Sequence, residues 1–131
     1  MFATRSSAFA TRSALLAARS SMLATRHLAT IRRLGTEDPR MSKVVVHNGV
    51  VHTCGQTDAT GKTAADQARV CLAKVDALLA EAGTDKSRLL TASIWLKHIE
   101  QDFAEFNGVW NAWVDPANKP VRFCVEVCAQ P

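Results

Sequence analysis

Residues 43–55 read KVVVHNGVVHTCG, and this stretch decides the fold because it specifies a β-hairpin. Two valine-rich runs flank Asn48-Gly49, a dipeptide that strongly favours a two-residue hairpin turn. If His47 pairs with Val50, successive side chains alternate between the two faces of the hairpin. One face then carries Val44, Val46, Val51 and Thr53, and the other carries Val45, His52 and Cys54. The sequence therefore predicts a sheet of defined register.

A helix is predicted after the hairpin. Thr63 is placed to cap it, Asp66 follows three residues later, and Gly83 supplies a stop. The apolar side chains between them recur at helical spacing and are Ala68, Cys71, Leu72, Val75, Leu78, Leu79 and Ala82. We therefore expect an amphipathic helix over residues 63–82.

Three further elements complete the predicted order. Residues 90–96 alternate as a strand, and Asp102 with Glu105 opens a second helix. That helix carries an aromatic stripe formed by Phe103, Phe106, Trp110 and Trp113. Residues 119–131, KPVRFCVEVCAQP, alternate again and predict a last strand. The order favours an α+β fold with two helices packed on one face of a sheet, and the apolar opposite face favours oligomerisation.

Residues 1–40 have a composition of their own. They contain seven Arg, no Lys and two acidic residues, hence a net charge of +5, and an Arg recurs every seven residues from Arg5 to Arg33. Such a segment is typical of an organellar transit peptide, disordered or weakly helical. We expect targeting to the mitochondrial matrix, with a chloroplast as the alternative, and processing between Arg33 and Met41. The predicted domain is then residues 41–131, while a solvated tail or a basic arm for nucleic acid are the competing interpretations of the leader.

The body of the chain limits the classes of partner. Residues 41–131 hold nine Lys and Arg against ten Asp and Glu, a net charge of −1 that offers no general attraction for nucleic acid. No run approaches the about 18 apolar residues of a membrane span. The cysteines lack a C-x-x-C spacing, and His47 and His52 lack a third ligand at fixed spacing, so we expect free thiols and no metal site.

Arg122 stands in the middle of the apolar last strand, and three interpretations are open. Its stem can lie along the surface with the charge in solvent, it can pair with Glu126, or it can bind an anionic ligand. Glu126 lies on the same face but about 13 Å further along an extended strand, so a direct pair within the strand is strained.

Four blocks of the sequence together resemble the RidA/YjgF (L-PSP, reactive intermediate/imine deaminase) family, most closely its YoaB-like branch. The blocks are VVVHNGVVHTCGQTD, QARVCLAKVDALLAEAGTDKSRLLTASIWL, DFAEFNGVWNAWV and KPVRFCVEV, and they span nearly all of residues 43–128. The resemblance implies a chorismate-mutase-like α+β subunit in a homotrimer with clefts between subunits. It also implies hydrolysis of enamines and imines to 2-oxo acids and ammonia, a reaction of the C–N hydrolase class, without metal or cofactor.

The resemblance implies site residues as well. Arg122 falls in the family motif P-x-R-x-x-V-E-V, whose arginine clamps the substrate carboxylate, and Cys124 matches the family's pocket cysteine. Cys54-Gly55 stands where the family often has Ser-Gly, and Gln101 where it commonly has Asn. We therefore expect catalytic roles for Arg122 and Glu126, and substrate-binding roles for Arg122, Cys124, Cys54, Gly55 and Gln101.

Two departures from the family pattern bear on activity. The chain contains no Tyr to match the family's pocket tyrosine, and the family's last strand, whose glutamate positions or activates water, has no counterpart after Pro131. A truncated gene product or splice form is the favoured explanation, and a divergent member is the other. Three functions compete: an imine deaminase, a non-catalytic trimer that binds a small carboxylate or a protein, and an RNA-cleaving enzyme.

Overall fold

The computed structural model describes residues 30–127, so the predictions for residues 1–29 and for Cys128 lie outside the described residues. The strands are β1 (Arg32–Leu34), β2 (Val44–His47), β3 (Val50–Thr53), β4 (Thr91–Leu96) and β5 (Val121–Glu126). The helices are α1 (Ala64–Ala82) and α2 (Ile99–Trp113), with a 3₁₀ turn at Lys86–Arg88 between α1 and β4. The predicted order of elements is confirmed from β2 onwards.

The hairpin formed by β2 and β3 has the predicted register. His47 pairs with Val50 and Val44 pairs with Thr53 in an antiparallel ladder. Asn48 and Gly49 have φ angles of 50° and 76°, the left-handed conformation that a tight hairpin turn of this type requires. On the predicted core face, Val44 is completely buried, and Val46 and Val51 are half-buried.

A strand precedes the hairpin, outside the predicted bounds of the domain. β1 pairs antiparallel with β2, with Arg32 opposite Val46 and Leu34 opposite Val44. Arg32 also donates from Nη2 to the Ala82 carbonyl at the end of α1, over 3.0 Å. The compact unit that contains the hairpin accordingly includes β1 and starts at Ile31. Composition alone does not distinguish β1, because its arginines continue the arginine-rich pattern of residues 1–40.

Both ends of α1 are capped as the sequence predicts. The Thr63 hydroxyl accepts a hydrogen bond from the Asp66 backbone N–H over 3.1 Å and so satisfies a free donor of the first turn. Gly83 ends the helix in the left-handed conformation at φ 84°. α1 packs over β2 and β3 and against α2.

The strands form two sheets within the described residues. β1, β2 and β3 make an antiparallel sheet, and β4 and β5 make a parallel pair. α2 packs over β4. The helices therefore connect the two sheets through their own packing, and this arrangement places β5 against α2.

The core lies between the helices and β4. Its buried members are Ala68, Leu72, Phe106, Trp110 and Val114, with Ala92, Ile94 and Leu96 packed against them. The Trp113 indole donates to the Asp76 carboxylate over 2.8 Å and so joins α2 to α1. Phe103 is exposed, so the predicted aromatic stripe enters the core with three of its four members. Across residues 30–127, the helices are too short or too polar to cross a membrane.

Candidate functional site

The faces of β5 are the starting point of the candidate site. The parallel register sets Arg122 beside Ala92, Cys124 beside Ile94 and Glu126 beside Leu96. Those three β4 residues pack against the helical core, so the polar residues of β5 face α2. The apolar residues of β5 face outwards, and Phe123 is 52% exposed. Trp95 of β4 meets Phe123 edge-on at 6.4 Å on this outer face.

Arg122 is half-buried against aromatic side chains of α2. Its guanidinium carbon lies 5.8 Å from the centre of the Phe106 ring and 5.2 Å from that of Trp110, both within the range of cation–π attraction. Its Nη1 donates to the Asn107 side-chain oxygen over 2.8 Å. Among residues 30–127, none of the salt bridges includes Arg122. The positive charge is thus fixed in place but not neutralised by this part of the chain.

Cys124 lies next to Arg122 on the same face of β5. Burial raises the pKa of its thiol above the ordinary value, and the positive charge of Arg122 offsets this effect only in part. A raised pKa keeps the thiol protonated at neutral pH. Cys124 is therefore poorly suited to act as a thiolate nucleophile at neutral pH.

Glu126 and Gln101 meet at the start of α2. The residue before the helix, His98, provides no side-chain cap, and the Glu126 carboxylate instead accepts the Ile99 backbone N–H over 2.8 Å. Both Glu126 and Gln101 line a shallow groove of about 310 Å³ at this helix end. The structure therefore brings these two predicted site residues together and gives Glu126 a capping contact across 27 residues of sequence.

Cys54 and Gly55 lie at the end of β3, in the other sheet. The Gln56 side chain donates to the Cys54 sulfur over 3.1 Å and to the Gly55 carbonyl over 3.1 Å, which closes a small local turn. No hydrogen bond within residues 30–127 links these residues to Arg122 or Glu126. The expected substrate-binding residues thus form three groups in the described part of the subunit.

Sequence reasoning missed Asn107. Its side chain holds Arg122, and it is flanked on α2 by the ring-bearing residues that stack on the same guanidinium. The available signal was a poor helix former in mid-helix, directly after a core phenylalanine. The aromatic stripe was interpreted as core alone, whereas Phe106 and Trp110 serve both the core and the surroundings of Arg122.

The described residues contain no candidate metal site. Between residues 30 and 127, His, Cys, Asp and Glu side chains form no group of three or more that could hold a metal ion. His47 and His52 fall on one face of the hairpin, as the register requires, without a third ligand in this part of the chain.

The fold is shared with solved proteins of one class. A crystal structure of a YjgF-family protein from Neisseria meningitidis superimposes with a TM-score of 0.72 and is 45% identical, covering 75% of this chain and 81% of that protein. Yeast Mmf1 superimposes with a TM-score of 0.71 at 23% identity. The α+β arrangement with two helices is therefore that of the YjgF class of small proteins.

Comparison of sequences identifies the family. The family model described as Endoribonuclease L-PSP matches residues 32–131, so the chain belongs to the L-PSP (RutC, YjgF) family. The RutC family protein YoaB of Escherichia coli is 38% identical over 97 residues, which is 74% of this chain and 83% of YoaB. The mitochondrial protein mmf1 of Schizosaccharomyces pombe is 36% identical over 95 residues, 69% of this chain and 57% of mmf1. TdcF of Escherichia coli, provisionally named a reactive intermediate deaminase, is 29% identical over 93 residues, 70% of this chain and 71% of TdcF.

The contact between Glu126 and α2 predicts a stability effect. Replacing Glu126 with Ala removes the acceptor of the Ile99 N–H and a negative charge at the positive end of the helix. We expect the free energy of unfolding to fall by about 1 kcal/mol. Glu126→Gln keeps an acceptor and should lose about half as much. Urea denaturation followed by far-ultraviolet circular dichroism measures these differences.

Glu100 provides the matched control, because it carries the same charge in the first turn of α2. The hydrogen bonds of the described chain do not include its carboxylate. Glu100→Ala should therefore lose only the smaller electrostatic contribution. Equal losses in the Glu100→Ala and Glu126→Ala proteins would show that Glu126 does not cap the helix.

Proposed function

We propose that the protein hydrolyses reactive enamine and imine intermediates to 2-oxo acids and ammonia, as a 2-iminobutanoate/2-iminopropanoate deaminase of the C–N hydrolase class. The observation that carries the proposal is Arg122, a half-buried guanidinium that is held by a neutral side chain and aromatic rings. A fixed positive charge of this kind fits a small carboxylate. The provisional name of the relative TdcF agrees with this class of reaction.

A small carboxylate suits the site better than RNA does. Residues 41–131 carry a net charge of −1, which gives a phosphate backbone no general attraction. Arg122 supplies one localised charge with a forked set of donors, a geometry that matches a single carboxylate. The ligand class proposed is therefore a 2-imino acid and its 2-oxo product.

The reaction proposed is an addition of water followed by loss of ammonia. Arg122 holds the carboxylate in two parallel hydrogen bonds, water adds to C2 of the imine, and the C2–N bond breaks as the nitrogen leaves as ammonia. One water is consumed, and its oxygen becomes the 2-oxo group of the product. Fixing the carboxylate places C2 for attack, so orientation supplies much of the rate gain.

The remaining site residues take supporting parts in this proposal. Cys124 forms the pocket wall beside Arg122 as a neutral thiol. Cys54, Gly55 and Gln101 are proposed to contact substrate from other parts of the assembly. Glu126 uses one carboxylate oxygen to cap α2, and its role as the base that activates water stays a prediction.

We propose further that the subunits associate as a homotrimer through the outer face of β4 and β5. Val121 is 76% exposed and Trp95 is 57% exposed, beside the half-exposed Phe123. Contiguous apolar surface of this kind is typical of protein interfaces. Assembly would also add neighbouring residues to clefts that the described part of one subunit leaves open.

We propose the mitochondrial matrix as the location. The arginine-rich composition of residues 1–40 supports this proposal, as does the mitochondrial relative mmf1. A leader that is cleaved after residue 33 would remove part of β1. Because β1 is hydrogen-bonded to β2, cleavage before Arg32 would preserve the folded unit.

Replacing Arg122 should abolish most activity. Arg122→Ala removes two charge-assisted hydrogen bonds to the carboxylate, and we expect kcat/KM for 2-iminobutanoate to fall by about 100-fold. Arg122→Lys keeps the positive charge but loses the forked pair of donors. Its kcat/KM should lie between those of the wild type and Arg122→Ala. The measurement is the loss of the imine signal in a coupled assay, with Arg88→Ala as the control for an exposed arginine. If the wild type and Arg122→Ala were equally inactive, the enzyme proposal would be contradicted, and equal activity would contradict the role of Arg122. Binding of 2-oxobutanoate without turnover would support the non-catalytic alternative.

The trimer proposal predicts a specific response to charge on the outer sheet face. The wild type should sediment as a trimer, and Phe123→Lys should sediment as a monomer because the new charge would be buried at the interface. Ala104→Lys, at an exposed position of α2, is the control and should remain a trimer. Sedimentation velocity distinguishes these species, and a monomeric wild type would contradict the proposal.

The mature N-terminus is predicted to lie before Arg32. Removal of β1 would expose the paired edge of β2 and the fully buried Val44, so processing should spare residues 32–34. Intact-mass measurement of the protein from a mitochondrial fraction tests this expectation. A mature form that begins at Met41 would overturn it.

A further inference from the structure

Asn107 occupies an unfavourable position for its residue type. Asparagine is a poor former of helix interiors, yet this one lies in the middle of α2 and is half-buried. Its side chain reaches β5, 15 residues away in sequence, and accepts a hydrogen bond from Arg122 over 2.8 Å. The contact therefore offsets a local cost to the helix, which points to a role for this side chain outside the helix.

The chemistry of the two groups fixes the direction of this contact. A guanidinium has donors only, so the amide oxygen of Asn107 must be the atom that faces it. This bond engages one edge of the guanidinium at Nη1. The rings of Phe106 and Trp110 lie close to the guanidinium, with their centres 5.8 Å and 5.2 Å from its carbon. Within residues 30–127, no hydrogen bond engages the donors of Nη2 and Nε, so they can serve another partner.

The neutrality of Asn107 is the decisive property. An aspartate of the same shape would place a full negative charge on Arg122 and would compete with any incoming carboxylate. An amide oxygen instead holds the guanidinium while its positive charge remains available. A side chain that orients a cation without neutralising it suits a site for an anionic ligand.

We infer that Asn107 is a positioning residue, which locks the plane of the Arg122 guanidinium against Phe106 and Trp110 and presents its free edge to a ligand carboxylate. The inference rests on the proposed function for the identity of the ligand. The locking of Arg122 can be tested without any ligand. A planar 2-oxo or 2-imino acid would then bind with its carboxylate aligned to the plane that Asn107 sets.

The first test measures affinity with matched variants in the full chain. Calorimetry with 2-oxobutanoate should show binding about tenfold weaker in Asn107→Ala and at least as weak in Asn107→Asp. Asn111→Asp adds the same charge at an exposed position of α2 and should leave the affinity unchanged. Thermal unfolding checks that each variant is folded. Unchanged affinity in a folded Asn107→Asp protein would overturn the inference.

The second test reads the orientation of Arg122 directly. Nitrogen-15 NMR of the arginine side chains should show separate, slowly exchanging Nη signals for Arg122 in the wild type and in Asn107→Asp. The Asn107→Ala protein should show the averaged signal of a freely rotating guanidinium. An averaged Arg122 signal in the wild type would refute the positioning role, whatever the protein binds. A locked Arg122 with no affinity for 2-oxobutanoate would support the positioning role and count against the proposed function.

Discussion

The packing of α2 against β5 is the interaction on which the rest of the described structure depends. Phe106 and Trp110 belong to the buried core and also lie beneath the Arg122 guanidinium. Because these rings bury large apolar area, they fix the position of β5 relative to the helix. The polar residues of β5 then bond to α2 at two points, Asn107 and the Ile99 N–H. Core packing and the candidate site are therefore one structural feature.

This packing explains why the polar side chains of β5 face the helix and its apolar side chains face outwards. A strand against a helix normally turns its apolar residues inwards, but here the inward positions carry Arg122, Cys124 and Glu126. Aromatic rings and the neutral Asn107 oxygen compensate Arg122, and the N-terminus of α2 compensates Glu126. The valines and Phe123 consequently lie outside, where much of their apolar surface is exposed to solvent. The candidate site and the exposed apolar face of β5 thus follow from the same alternation.

The sequence predicted features that depend on local chemistry. The Asn48-Gly49 turn, the register of β2 with β3 and the caps of α1 all follow from residues adjacent in the chain. Features that depend on distant partners were not predictable. β1 was hidden by the arginine pattern, because its pairing with β2 is a property of tertiary structure. The Ile99 N–H at the start of α2 bonds to Glu126, and the Asn107 side chain bonds to Arg122, and neither partner is near in sequence.

Glu126 and Asn107 make different contacts, and this difference bears on the chemistry of the candidate site. Glu126, the acidic residue nearest to Arg122 along β5, has its carboxylate at the end of α2, whereas a neutral amide contacts the guanidinium. Had a carboxylate taken the place of Asn107, the pair would be locally neutral and an anionic ligand would gain little. For the carboxylate ligand proposed above, this arrangement favours capture and orientation over proton transfer by this face of β5. Catalysis by orientation needs a rigid cation more than a nearby base, and the aromatic rings of α2 provide that rigidity.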